Sequence, residues 1–119
     1  MSSQNDNGFK TYLASGAVSA FIAVNIQSDG TITAANGARG MGVTQEDIAD
    51  GSYGAVKLWS APGTFMIQAS GTAITTGTSY SIITGGYAGV TGTGYAAYLI
   101  AQQGGVASNG IVLEFAESF

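Results

Sequence analysis

The chain has 119 residues, 19 of them Gly, with 45% hydrophobic and 8% charged residues, one Pro, and neither Cys nor His. A chain of that length builds one modest core, and without Cys and His it has no disulfide framework, no thiolate metal site, and neither the commonest metal ligand nor the commonest general base. Three basic residues (Lys10, Arg39, Lys57) against seven acidic ones exclude a phosphate-binding track for nucleic acid, and the apolar content excludes a disordered chain.

Residues 1–12 read as a polar N-terminal arm. Met1 to Gly8 holds Ser, Gln, Asn and Asp, with no apolar side chain after the first Met. Such a segment either frays or orders only against a neighbour, with Phe9, Tyr12 and Leu13 as its anchors. It also lacks the basic start of a secretory signal, and the apolar stretch from Leu13 to Ile26 is broken by Ser15, Gly16, Ser19 and Asn25. That stretch falls short of the ~20 residues a membrane span needs, so synthesis in a cytoplasm and no membrane partner are expected.

From there the period is two, and residues 13–119 read as a single β-barrel domain. Ala20, Ile22, Val24 and Ile26 alternate with Phe21, Ala23, Asn25 and Gln27, which predicts a strand. Thr31 to Thr33 predicts a second strand after the turn Ser28-Asp29-Gly30. Thr44-Gln45-Glu46-Asp47 can cap a short helix, so one helical turn is expected near residues 45–50, with Gly51 ending it. Ala55 to Trp59 alternates, Pro62-Gly63 makes a turn, and Phe65, Ile67 and Ala69 share the next strand's face. Tyr80 to Thr84, Ala96 to Ala101 and Gly110 to Ala116 complete an all-β pattern of short antiparallel strands. Turn signals every eight to twelve residues fit a small barrel or sandwich. Ile26, Gly30, Ser52, Gly54 and Val56 match Ile82, Gly86, Ser108, Gly110 and Val112 at a constant offset of 56 residues. Two similar halves closing one barrel would produce that echo.

Chemistry-bearing groups are few. Glu46, Asp47 and Asp50 form an acidic cluster that a hard cation would favour, but their spacing is not that of a calcium loop and a solvated helix start explains them, so no metal is expected. Glu114 and Glu117 could pair for glycoside hydrolysis only across a cleft that nothing here supplies. A Ser or Thr nucleophile would find no His, and only Lys10 and Lys57 as bases. Gly85-Gly86 and Gly92-Thr93-Gly94 lack the Lys of a phosphate loop and read as hairpin turns. The pairs Thr31/Thr33, Thr76/Thr78 and Thr91/Thr93 are too unevenly spaced for an ice-binding array, and β-propensity accounts for them. Tyr80, Tyr87, Tyr95, Tyr98 and Trp59 could stack on sugars, though aromatics of this kind more commonly fill cores and subunit contacts. No enzyme and no cofactor are expected.

The run Ala69-Ser70-Gly71-Thr72-Ala73-Ile74-Thr75-Thr76-Gly77-Thr78-Ser79-Tyr80-Ser81-Ile82 resembles the middle strand pair of small β-barrel capsid decoration (cement) proteins of tailed bacteriophages. The Gly85-Gly86 turn follows, then Tyr95-Ala96-Ala97 where that family usually has Gly-x-Ala. The closing strand Gly110-Ile111-Val112-Leu113-Glu114-Phe115 is also similar in kind, as are Arg39-Gly40-Met41-Gly42-Val43, Gly51 and Gly54-Ala55-Val56-Lys57-Leu58. The resemblance implies a structural virion protein without catalytic groups. It would be a homotrimer on the outer capsid surface, clamping neighbouring subunits of the major capsid protein. A charged fraction of 8% against a usual ~25% fits such a role, because self-association and docking would cover much of the surface. Composition and position single out Phe9, Lys10, Tyr12 and Leu13 as capsid or subunit contacts, adding an edge strand or laying apolar side chains on a neighbour. The alternative is a tail- or fibre-associated module that binds a receptor or carbohydrate through the Tyr-rich turns.

Overall fold

Alternating apolar residues become strands throughout the described residues, as a chain rich in β-branched residues and Gly turns dictates. The computed structural model describes residues 8–35, 40–61, 63–69, 73–83, 85–89, 99–105 and 111–117. Among these residues ten strands follow one another: β1 (Phe9–Leu13), β2 (Ala23–Ile26), β3 (Ile32–Ala34), β4 (Gly42–Thr44), β5 (Tyr53–Leu58), β6 (Phe65–Ala69), β7 (Ser79–Ile82), β8 (Ala88–Gly89), β9 (Leu99–Ala101) and β10 (Ile111–Glu117). The all-β class is as expected. Three strands go beyond the sequence pattern: β1 overlaps the end of the expected arm, while β4 and β8 are too short to display alternation. Residues 1–7 of the arm, Arg39, Pro62, residues 70–72, 90–98 and 106–110, and the Glu117 side chain lie outside the described residues. With them go Thr72, Thr84, Thr91, Thr93, Gly92-Thr93-Gly94, Tyr95-Ala96-Ala97, Tyr98, Ser108 and Gly110.

The expected helical turn is absent. Residues 45–50 form a bent loop, and Ile48 exchanges backbone hydrogen bonds of 2.8 Å with Val18 in an antiparallel bridge. Tertiary pairing wins here because the three carboxylates cap other backbone segments rather than a helix of their own. Asp47 Oδ1 accepts the Ala20 N–H at 2.8 Å, Asp50 Oδ1 the Gly16 N–H at 2.8 Å, and Glu46 Oε2 the Ala55 N–H at 2.9 Å.

The strands form two five-stranded units in tandem. The first is a sheet in the order β1-β5-β4-β2-β3, and the second is a closed barrel in the order β10-β6-β8-β7-β9. A parallel bridge between Ala14 and Ile32 brings the outer strands of the first sheet together, as the parallel pair Ala69 and Ala88 closes the second barrel. The first unit is thus a sheet whose outer strands meet at a single bridge, and the second is a closed barrel.

Register makes the duplication specific. Val24 pairs with Ala34 and Ile26 with Ile32, while 56 residues later Ile82 pairs with Ala88. The bridge Val18 to Ile48 recurs as Ile74 to Gly105. Thr44 pairs with Val56, and Ala101 with Phe115; Lys10 pairs with Val56, and Phe65 with Phe115. Equivalence thus holds at an offset of 56 for Ile26/Ile82 and Gly30/Gly86. In the last strand it slips, so that Val56 corresponds to Phe115 and not to Val112. Both Val56 and Phe115 are fully buried, whereas Val112 is half-buried. The turns repeat as well: Gly30 and Gly86 take φ of 88° and 83°, and Phe21, at φ 61°, occupies the left-handed position that Gly77 fills in the second unit.

Two apolar clusters result. Ala14, Val18, Ile22, Val24, Ile32, Ile48 and Val56 fill the first unit. The second cluster contains Phe65, Ile67, Tyr80, Ile82, Leu99, Leu113 and Phe115, and also takes in Ala23, Val43 and Trp59 from the outer face of the first unit. One unit therefore packs its side against the other.

Candidate functional site

The four residues expected at a contact surface all lie on or beside the free edge of the first sheet, but on two faces. Strand β1 pairs antiparallel with β5, with Phe9 opposite Lys57, Thr11 opposite Ala55, and Leu13 opposite Tyr53. Alternation sends Tyr12 inward, half-buried against the first core, with the Lys10 ammonium 5.4 Å from its ring centre. Phe9, Thr11 and Leu13 face outward beside Tyr53 and Lys57. Residues 9–12 are thus a strand of the sheet, tied to β5 along their whole length, and do not stand apart from the domain. The reason is the inward side of this segment, where Tyr12 and, just after β1, the buried Ala14 extend the core.

The outward face carries exposed apolar surface. Phe9 is 36% exposed and Tyr53 70%. Tyr53 is not among the residues that composition singles out, although the Ala55, Lys57 alternation extended backward by two residues reaches it. Lys57 is held at the inner rim: its ammonium lies 5.9 Å from the Phe9 ring centre and 4.5 Å from that of Phe65, and donates to the Thr64 carbonyl at 2.5 Å. The Thr64 hydroxyl in turn donates to Glu114 Oε2. Glu114 is therefore engaged at the junction of the two units.

Backbone groups matter at this edge as much as side chains. Leu58 N–H donates to the Gly8 carbonyl and Ala14 N–H to the Ser52 carbonyl, which fixes the phase of the ladder. Even-numbered residues of β1 bond to β5, and Leu13 turns its N–H away from it. Among the described residues that N–H has no hydrogen-bond partner, nor has the Gly30 carbonyl.

Other candidates resolve into structural roles. The carboxylates of Glu46, Asp47 and Asp50 each accept a backbone N–H, and among the described residues no group of three or more Asp, Glu, His or Cys side chains could hold a metal. Tyr80 is buried, its hydroxyl accepting the Thr75 N–H at 2.9 Å and its ring edge-on to Phe115 at 6.2 Å. Trp59 is buried against Phe65, ring centres 4.8 Å apart. Thr31 hydrogen-bonds within its own turn, to Asp29 and Gln27. None of these aromatic or Thr side chains forms a sugar-stacking platform or a water-ordering rank among the described residues. A shallow depression beside the acidic loop is lined by Val18, Ser19, Asp47 and Ile48.

No protein-family model matches the chain, and no curated protein matches it. Among solved structures, the chain is similar to the N-terminal base of the head fiber protein gp8.5 of bacteriophage phi29. The TM-score is 0.72 at 18% identity, over 92% of both chains. At that identity the likeness establishes a shared fold.

Proposed function

We propose that the chain is a structural protein of a bacteriophage virion, made in the host cytoplasm and seated on the outer surface of the head. There it acts as a decoration (cement) protein on neighbouring major-capsid subunits, as a homotrimer. The observation that carries this reading is the two-unit fold, similar over 92% of both chains to a phage head-fiber base. A low-charge chain with exposed Phe9 and Tyr53 on one sheet face supports a role in contacts rather than catalysis. The mechanism is mass action: a protein that binds only the assembled shell stabilises it, and many weak sites acting together need only modest affinity each.

A second reading has its own support, because the similar structure is a fiber base. On that reading the chain would moor a fibre or receptor-binding element to the head, leaving shell stability unchanged.

The test uses phage heads assembled without the chain, incubated with the purified protein and sedimented. Saturable binding at many copies per head, with a higher temperature of shell rupture, is the result expected of a cement protein. Binding without a change in rupture temperature favours the mooring role. Absence of binding overturns both. Phe9→Ser and Tyr53→Ser should lower occupancy at fixed concentration if the outer face of β1 and β5 makes the contact, and unchanged occupancy would assign the contact elsewhere.

A further inference from the structure

The junction between the two units is built from unlike faces. On the first unit it uses the 20–23 segment, Val43, Lys57 and Trp59, and on the second it uses Thr64, Phe65, Gln68 and Gly86. In the repeat, Gln68 corresponds to Leu13, since Gln68 pairs with Val112 as Leu13 pairs with Tyr53, and Gly86 corresponds to Gly30. The two sets of positions do not overlap. Such a head-to-tail contact leaves one face unused at each end of the molecule.

Among the described residues, the receiving face of the first unit is formed and has nothing seated on it. In the second unit, a notch between β6 and the Gly86 turn is filled by the first unit's backbone. Gln68 N–H donates to the Phe21 carbonyl at 2.8 Å, and Ala23 N–H donates to the Gly86 carbonyl at 3.0 Å. The Gln68 side-chain amide adds a bond to the Ala20 carbonyl at 2.7 Å. A Cβ built on Gly86 would overlap the Ala23 carbonyl, so the notch is closely packed. In the first unit the same notch presents the Leu13 N–H and Gly30 carbonyl, both unpartnered among the described residues, and a Cβ on Gly30 would have nothing within 4 Å. The donor segment is repeated too: Gly77 corresponds to Phe21 and Ser79 to Ala23, and residues 77–79 are exposed.

We propose that the notch between Leu13 and Gly30 of one copy receives the Gly77–Ser79 segment of a second copy, so that the junction within the chain is repeated between chains. The Leu13 N–H then donates to the partner copy's counterpart of the Phe21 carbonyl, and the Gly30 carbonyl accepts the counterpart of the Ala23 N–H. The contact is head-to-tail and generates a ring of copies when its rotation closes. It gives the trimer of the proposed function a specific interface, but it stands on the internal junction alone and is tested without any capsid.

Light scattering of the full chain over a concentration series gives the test. The wild type is expected as a multiple of 11.9 kDa. Leu13→Pro removes one outward N–H at an edge position where Pro is tolerated, and should raise the dissociation midpoint at least about tenfold with an unchanged far-UV spectrum. Leu13→Gln supplies the amide that Gln68 uses in the internal junction, and should lower the midpoint. A wild type that stays at 11.9 kDa throughout overturns the proposal, as do two variants that both keep the wild-type midpoint. If Leu13→Pro does not fold, the direction of the Leu13→Gln shift decides, and no shift, or a shift to weaker association, overturns it. Failure here would leave the head-binding test standing, and failure of head binding would leave the ring standing.

Discussion

Single side chains fix the loops that carry the two units. Thr44 is fully buried, and its hydroxyl donates to the Ser19 carbonyl at 2.7 Å while accepting the Ile22 N–H at 3.1 Å. Thr44→Val keeps the shape and removes both bonds, leaving the buried Ile22 N–H without its acceptor and the part-buried Ser19 carbonyl without its donor. Urea unfolding should show a loss of about 2 kcal/mol; a loss below about 0.5 kcal/mol would mean that the loop re-forms its bonds elsewhere. Asp29 acts at the surface. The Thr31 hydroxyl at 2.6 Å, and then the Thr31 N–H at 3.0 Å, favour its charged form and hold its carboxyl below the ordinary 3.8. A depressed folded value means that this turn's contribution is present above the ordinary carboxylate range and is lost as pH falls through the folded value. Carboxyl NMR should place Asp29 below 3.8 in the wild type, and Thr31→Val should move it upward; an unmoved titration would mean that the hydroxyl is not its partner. These roles are only partly legible in sequence. Ser28-Asp29-Gly30 announces its turn, but Glu46, Asp47 and Asp50 look like a helix start because their backbone partners lie up to 34 residues away.

Strands with six or seven residues, or with a clear apolar alternation, are readable. β5, β6 and β10 fall where the pattern puts them, and β4 and β8 are invisible because three or two residues show no period. β1 is hidden by composition. Its inward face offers Lys10 and Tyr12 before Ala14, and only pairing with β5 reveals which side is inside. The repeat is half-readable for a related reason, since register slips between its early and late strands. The equivalences that register establishes also exchange large for small residues. Ile48 packs against Gly54 in the first unit, where a Cβ on Gly54 would overlap the Ile48 side chain. In the second unit Gly105 replaces Ile48 and Leu113 replaces Gly54, with a Cβ on Gly105 only 3.0 Å from Leu113 Cδ1. The pair fills one volume in two ways. Ile48→Ala should cost about 2–5 kcal/mol and Gly54→Ala about 1–3 kcal/mol. In the double variant the shorter side chain makes room for the new Cβ, so its loss should fall short of the summed losses by at least about 1 kcal/mol. Additive losses in denaturant titrations would show that the two sites do not share that volume.

At the scale of the whole chain, the question is whether two units mean two folding reactions. Each half has about 60 residues, a size at which an isolated domain buries only ~60% of its unfolded surface and is marginal. The second half does not keep its core to itself. Ala23, Ala35, Val43 and Trp59 of the first unit belong to the same apolar cluster as Phe65, Leu99 and Phe115 of the second. The junction also carries the Gln68 bonds to Ala20 and Phe21, the Ala23 bond to Gly86, and the Lys57 ammonium above Phe65. Unfolding the second unit alone would expose the outer face of the first and strand those backbone groups, so the intermediate is disfavoured and the transition should be all-or-none. The single Trp, Trp59, sits in the junction, so its fluorescence reports the contact while far-UV circular dichroism reports both sheets. In urea, at a fixed concentration below the dissociation midpoint of any oligomer, the two signals should trace one superimposable curve with a slope of about 1–3 kcal/mol/M. A fluorescence transition at lower urea than the dichroism transition would mean that the junction opens before the units melt. A chain whose units come apart so easily would have a weak internal junction, and the contact that repeats it between copies would be weaker still.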